Sequence, residues 1–136
     1  MAEDQSKKIY FPINHLADVV RARRQGLEMA LEMGFPQAEA TKIAVVISEL
    51  GRNIERYAKN GSITVTAHYG QEKYILIVAQ DWGPGIPDVD RVLAGGYSTS
   101  KGLGLGVSGS KRLVDDFNIQ SVVGVGTTIK AIKRLR

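Results

Sequence analysis

An α+β fold, a two-layer sandwich of helices against one sheet, is what the sequence predicts, and three patterns support it. Helix-period and strand-period segments come in blocks rather than in the strict alternation of a parallel βαβ array. Two long segments carry an apolar stripe at three- and four-residue spacing. The remaining periodic segments are rich in β-branched and aromatic residues and are bounded by turn residues. At 136 residues the chain is expected to form one domain over residues 1–136, large enough to bury a sizeable core.

Residues 7–13 alternate weakly and predict a first strand. Residues 16–33 predict a helix whose apolar face is Leu16, Val20, Leu27 and Leu31, with Gly34 as its stop. Arg23 falls on that face, either snorkelling or waiting for a partner. Pro36 opens a second helix. Its stripe is Ile43, Ile47, Leu50, Ile54 and Tyr57, and Asn60-Gly61 ends it. Residues 62–69 and 73–80 read as an antiparallel hairpin. Residues 81–87, Asp-Trp-Gly-Pro-Gly-Ile-Pro, exclude regular structure. A short helix over 88–93, a loop over 94–104 and a helix over 105–117 follow. Residues 119–123 and 127–132 close the chain as a second hairpin.

Composition narrows the function. No cysteine means no disulfide framework, thiolate metal site or cysteine nucleophile, and fits a cytoplasmic location. The charged N-terminus lacks the apolar run of a signal peptide, and no apolar run is long enough to span a bilayer. A net charge of +4, without a like-charge block or an aromatic-interleaved basic strip, gives no nucleic-acid signature. The basic end, Lys130 to Arg136, reads as a solvated strand end. His15 and His68, with no second ligand nearby in sequence, read as structural or surface residues. The glycines are the unusual feature: more than half of the fifteen lie between Gly83 and Gly109.

Three constellations there and just upstream have chemical potential. Glu49 and Asn53 stand four residues apart on one helix face, at the border between core and solvent. There a carboxylate can act as a base and an amide oxygen can meet a hard cation; a solvated face with Glu49 paired to Arg52 is the plain alternative. Gly51 between them costs about 1 kcal/mol against alanine in mid-helix, which implies a close approach. Asp81-x-Gly83-x-Gly85 follows a strand directly. It offers a hydrogen-bond acceptor beside backbone that a flat ligand can approach, or simply an Asx-capped turn. The run from Gly102 to Gly109 puts successive amides at a helix start, an anion site, or is a flexible loop. It is neither a dinucleotide fingerprint, lacking a strand before it and an acidic residue after it, nor a P-loop, since Ser110-Lys111 reverses the required order.

In this order the constellations resemble the GHKL superfamily of ATP-binding proteins, which includes gyrase, Hsp90, histidine kinases and MutL. The N box is Glu49…Asn53, the first glycine box Asp81-x-Gly83-x-Gly85 and the second Gly102-x-Gly104-x-Gly106. Gly124-x-Gly126-Thr127 matches the terminal Gly-Thr element. The resemblance covers essentially the whole chain. Within the superfamily the chain is similar to the small bacterial serine/threonine kinases that control sigma-factor partner switching. The segments that carry this likeness are 48–54, 81–88, 97–100, 111–113 and 131–136.

The resemblance implies a GHKL (Bergerat) ATP-binding fold with a mixed sheet and helices on one face. It implies ATP and Mg²⁺, with Asn53 on the metal and Glu49 as the base that takes the proton of the attacking hydroxyl. Asp81 would accept from the adenine amine, Gly83, Gly85 and Ile86 would lie along the base, and Thr127 would support its edge through water. Gly102, Leu103, Gly104, Leu105 and Gly106 would form the lid over the phosphates; Lys101, beside them, would touch the γ-phosphate or be solvated. The implied substrates are serine or threonine residues of STAS-domain partners in a stressosome pathway, and a PP2C-type phosphatase is the implied second partner. A sigma-sequestering anti-sigma factor and an ATP-regulated module without transfer activity are the alternatives.

Overall fold

In the computed structural model, residues 6–58, 60–89, 93–94 and 103–136 are described, with backbone alone for 103–105. Their order is β1 (Ser6–Ile13), α1 (Leu16–Met33), α2 (Gln37–Asn53), a π-helical turn (Ile54–Ala58), β2 (Gly61–Tyr69), β3 (Lys73–Asp81), α3 (Leu103–Leu113), β4 (Asp116–Val122) and β5 (Gly126–Arg134). Residues 90–92 of the short helix expected over 88–93, and residues 95–102 of the loop expected over 94–104, lie outside the described residues.

The strands form one sheet in the order β1-β2-β3-β5-β4. The α+β class holds, but the sheet is not mixed: every pairing is antiparallel. The connections explain this. Between β1 and β2 the chain makes two helices, out and back, so β2 starts where β1 ends. Short turns join β2 to β3 and β4 to β5, which makes each pair antiparallel. β3 and β4 are each antiparallel to β5, so these two run the same way, but β5 lies between them and they form no ladder with each other.

The register aligns the apolar positions in rows. Phe11, Ile63, Ala79, Ile129 and Ile119 face one another across all five strands, and Ile9, Val65, Ile77, Ala131 and Phe117 make the next row. These side chains point to the face where α1 lies against β1 and β2, and α2 against β2 and β3. Each fully buried isoleucine or valine there contributes roughly 1.5–3 kcal/mol relative to exposure. The opposite face carries half-buried or exposed residues such as Thr64, Thr66, Leu76, Val78 and Lys130. Among the described residues no helix is long and apolar enough to cross a membrane.

α1 buries a different face from the expected one. Leu16, Val20 and Leu31 are 55%, 56% and 41% exposed, whereas Val19, Ala22, Gly26, Met29, Ala30 and Met33 are buried. Close helix packing is the cause: a β-carbon on Gly26 would collide with Ile47 Cδ1 of α2. The seam uses small residues, which carry little hydrophobic signal. Gly34 stops α1 as predicted, at φ +107°, with its N–H donating to Leu31 O at 3.1 Å and Phe35 N–H to Ala30 O at 3.1 Å. At the other end the Asp18 carboxylate accepts the N–H groups of Asn14 (2.9 Å) and His15 (3.0 Å), which holds its pKa below the ordinary range. His15 is thus the N-cap residue of α1, and His68 stacks at a tilt on Tyr74, 4.6 Å between ring centres.

Three further expectations are corrected. α2 does not continue as an α-helix through Tyr57, because at Ile54 it widens into the π-turn. α3 spans Leu103–Leu113, so Gly104 belongs to the helix rather than to the loop before it, and Phe117 lies in β4, where it completes a core row. The basic end is not a solvated strand end: Lys133 is buried and pairs with Glu39 of α2 at 2.7 Å, Arg134 pairs with Asp116 at 2.6 Å and Arg136 with Asp115 at 3.2 Å.

Candidate functional site

Two groups of predicted site residues take shape on either side of the π-turn. The first lines a cavity of about 560 Å³ between α2 and α3. From α2 come Val45, Glu49, Arg52 and Asn53, joined by Arg56 of the π-turn; spacings of four, three and one place them on one helix face. From α3 come Gly106, Gly109, Ser110, Arg112 and Leu113, again one face. Glu49 and Asn53 are half-buried, at the border the sequence predicts. α3 approaches Glu49 so closely that a β-carbon on Gly106 would stand 2.7 Å from Glu49 Oε1. The Ser110 hydroxyl donates back to Gly106 O at 2.8 Å, filling the polar need of a buried side chain within the helix. The close approach implied by Gly51 is packing, not a ligand: a β-carbon there would lie 2.9 Å from Val19 Cγ1 and 3.3 Å from Ile63 Cδ1.

The second group gathers at the end of β3. Asp81 pairs with Gly61 on one side and Thr127 on the other, and its Oδ1 accepts the Gly83 N–H at 2.9 Å in an Asx turn. Partial burial raises its pKa above the ordinary carboxylate range, opposed by the Gly83 and Thr127 backbone hydrogen bonds. Gly83 lies against the π-turn, where a β-carbon would meet Ala58 Cβ at 2.6 Å. Gly85 has φ +82°, and a β-carbon there would meet Val122 O at 2.5 Å. The missing side chains therefore admit the chain's own backbone. Trp82 is 60% exposed, which excludes a core role.

Ser121 ties this group together. Its hydroxyl accepts the Ile86 N–H at 2.7 Å and lies 2.8 Å from Thr127 Oγ1 and 3.3 Å from Gly126 O. Thr127 is buried. Sequence reasoning missed Ser121, whose partner Ile86 is 35 residues away; only the β4–β5 register, which sets Ser121 opposite Thr127, reveals it. Arg52, Arg56 and Arg112 were missed as well, although their spacing from Glu49, Asn53 and Gly106 was the available signal.

The structure brings Glu49, Asn53 and Gly106 together, and separately Asp81, Gly83, Gly85, Ile86 and Thr127. The residues lining the cavity do not include the second group. The Ala58–Gly83 contact joins the two. Leu103, Gly104 and Leu105 form the first turn of α3 with Gly106, and a helix leaves such first-turn amides without internal acceptors. Lys101 and Gly102 lie outside the described residues.

An antiparallel sheet with helices on one face, and an acid–amide pair facing the backbone of a glycine-rich helix, define a class of nucleotide-binding proteins. The sequence matches the family model described as histidine kinase-, DNA gyrase B-, and HSP90-like ATPase over residues 38–136, and the chain belongs to that family. It is 49% identical over 121 residues to the serine/threonine-protein kinase RsbT of Bacillus subtilis (strain 168), a match covering 88% of this chain and 90% of that protein. It is also 32% identical over 103 residues to an anti-sigma F factor of Bacillus licheniformis, covering 71% and 70%. With this family and this relative, the chain is an ATP-dependent protein serine/threonine kinase. Among solved structures, the RsbU and RsbW domains of Rv1364c from Mycobacterium tuberculosis align with TM-score 0.65 and 20% identity over 96% of this chain and 32% of that one. A histidine kinase domain from Erythrobacter litoralis aligns with TM-score 0.56 and 18% identity, over 88% of this chain and 60% of that one. What these two structures share with the chain is the fold.

Proposed function

We propose that this kinase transfers the γ-phosphate of ATP to a serine or threonine of STAS-domain partner proteins in a sigma-factor partner-switching pathway of the stressosome kind. It does so as a single ATP-binding domain over residues 1–136, in the cytoplasm, and once released from those partners it binds and activates a PP2C-type phosphatase. The observation that carries the reading is the placing of Glu49 and Asn53 in one cavity under the α3 backbone at Gly106, in a chain with 49% identity to a serine/threonine kinase.

In this reading Asp81 accepts from the adenine amine, while Gly83, Gly85 and Ile86 hold the strand end against which the base lies. Thr127, fixed by Ser121, supports the base edge. The first-turn amides of α3, from Leu103 to Gly106, face the phosphates; Lys101 and Gly102 join them on the sequence resemblance alone. Mg²⁺, when bound, neutralises phosphate charge. It takes oxygen ligands and prefers phosphates and water to an all-protein cage, and Asn53 offers such an oxygen. Glu49 accepts the proton of the partner's hydroxyl as its oxygen bonds to the γ-phosphorus; the bond from that phosphorus to the bridging oxygen breaks, and its electron pair leaves with ADP. Catalysis of this kind is mostly positioning and charge stabilisation.

The test combines radiolabelled γ-phosphate transfer to a purified STAS-domain protein with a sigma-factor pull-down. The reading predicts label on the partner and no sigma capture. Glu49→Ala should retain nucleotide binding and lose transfer by about 10²–10⁴-fold; undiminished transfer removes Glu49 from the role of base. The similarity to an anti-sigma F factor favours one second reading, nucleotide-dependent sequestration of a sigma subunit, and sigma capture in the same experiment would support it.

A further inference from the structure

We propose that the groove between α2 and α3 is where the partner's acceptor segment docks, and that it selects a segment with carboxylates flanking the hydroxyl to be phosphorylated. The inference rests on the kinase reading above and adds the chemistry of the acceptor.

Charge is the first argument. Among the described lining residues, the guanidiniums of Arg52 and Arg112 stand against a single carboxylate, that of Glu49. Arg21, Arg134, Arg136 and Lys133 all pair with carboxylates of the chain, whereas among the described residues no ion pair involves Arg52 or Arg112. Both are exposed, one on each wall. A cleft lined by one sign of charge focuses its field on the opposite sign, and a guanidinium binds a carboxylate with paired hydrogen bonds.

Shape is the second. About 560 Å³ falls within the range of pockets that enclose a ligand-sized group. The α3 wall is open at Gly109, where a β-carbon would meet nothing within 4 Å. Backbone of an extended segment can therefore pass close to the helix, and Val45 and Leu113 offer apolar walls for its side chains.

The arrangement of charges decides between occupants. A second free anion would compete with the γ-phosphate that the reading above places at Glu49. A protein segment escapes that conflict, because its neutral hydroxyl can sit at Glu49 while carboxylates one or two residues away reach Arg52 and Arg112. The adenine-side residues Asp81, Gly85 and Thr127 do not line the groove, so the nucleotide would share it with the acceptor at its phosphate end alone.

The experiment uses a STAS-domain protein, radiolabelled ATP and the full chain, with initial rates measured against STAS-protein concentration. Arg52→Glu, Arg112→Glu and Gly109→Leu are compared with wild type, after thermal melts confirm that each folds. Each variant should raise KM for the STAS protein by about tenfold or more, while the Kd of a fluorescent ATP analogue, whose phosphates the reading above gives to Asn53 and the first turn of α3, stays within about twofold. Arg52→Lys should lie between wild type and Arg52→Glu. Neutralising the STAS carboxylates near the labelled residue should raise KM for wild type and leave the Arg→Glu variants unmoved. Transfer at unchanged KM in all three variants would overturn the docking assignment and leave the kinase reading standing. Nucleotide Kd weakened in parallel would overturn it too, giving the arginines to ATP. Nucleotide bound by wild type with no STAS protein labelled would sink the substrate reading and the inference with it.

Discussion

Asp81 ends β3 half out of water, and its raised pKa records the cost of that position. As pH rises, the carboxyl ionises in the unfolded chain before it does so in the folded one. Between those two pKa values the folded state binds more protons, so stability falls as pH rises through that window, and the penalty is fully present above it. Asp81→Asn removes the ionisation and keeps an oxygen for the Gly83 N–H. Melting temperatures across pH should show the variant at least as stable as wild type at neutral pH, with the advantage vanishing in acid. If Asp81 reads the adenine amine as proposed, the variant's affinity for ATP, and its preference for ATP over GTP, should fall, because the amide can turn its N–H₂ towards that amine. A variant less stable at neutral pH would contradict the burial argument; unchanged purine preference would move base recognition elsewhere. At this scale the sequence was legible where both partners lie on one element: Glu49 and Asn53 are neighbours by helical period alone. It was silent on Ser121, whose contacts are made by strand register.

Elements were legible wherever large apolar residues marked the buried face. The rows of β2, β3 and β5 and the stripe of α2 follow their periods, and Gly34 stops α1 where its left-handed conformation is needed. α1 itself misled, because its seam with α2 is built from Ala22, Gly26 and Ala30 while Leu16, Val20 and Leu31 stay exposed. Gly51 did signal a close approach, and what approaches is Val19 and Ile63. Two helix glycines therefore predict opposite outcomes. Gly51→Ala gains about 1 kcal/mol of helix propensity but forces its β-carbon against Val19, and overpacking of this sort costs about 1–3 kcal/mol, so it should lower stability. Gly109→Ala meets open space and should raise it by about 0.5–1 kcal/mol. Urea denaturation of the two variants checks the signs, and a stabilised Gly51→Ala would show that α1 and β2 yield more easily than their packing implies.

On the scale of the whole molecule, the fold sets two half-sites around one joint. α2 presents Glu49 and Asn53, then widens into the π-turn, a distortion often found at functional sites. Ala58 of that turn fills the space left by Gly83, which ties the acid–amide pair to the Asp81 strand end. β5 lies between β3 and β4, which places Thr127 next to Asp81 and Ser121 next to Thr127. Such joining could not be read from the sequence, since it depends on strand order rather than on any local period. In the function proposed above, one ATP molecule bridges the two halves, its purine on Asp81 and its terminal phosphate beside Asn53 and Glu49. A crystal structure of the chain grown with a non-hydrolysable ATP analogue and Mg²⁺ tests this most directly. The account predicts the adenine amine within hydrogen-bonding distance of the Asp81 carboxylate and the γ-phosphate at the Glu49 end of the α2–α3 cavity. A purine bound away from Asp81, or a γ-phosphate remote from Asn53 and Glu49, would contradict it.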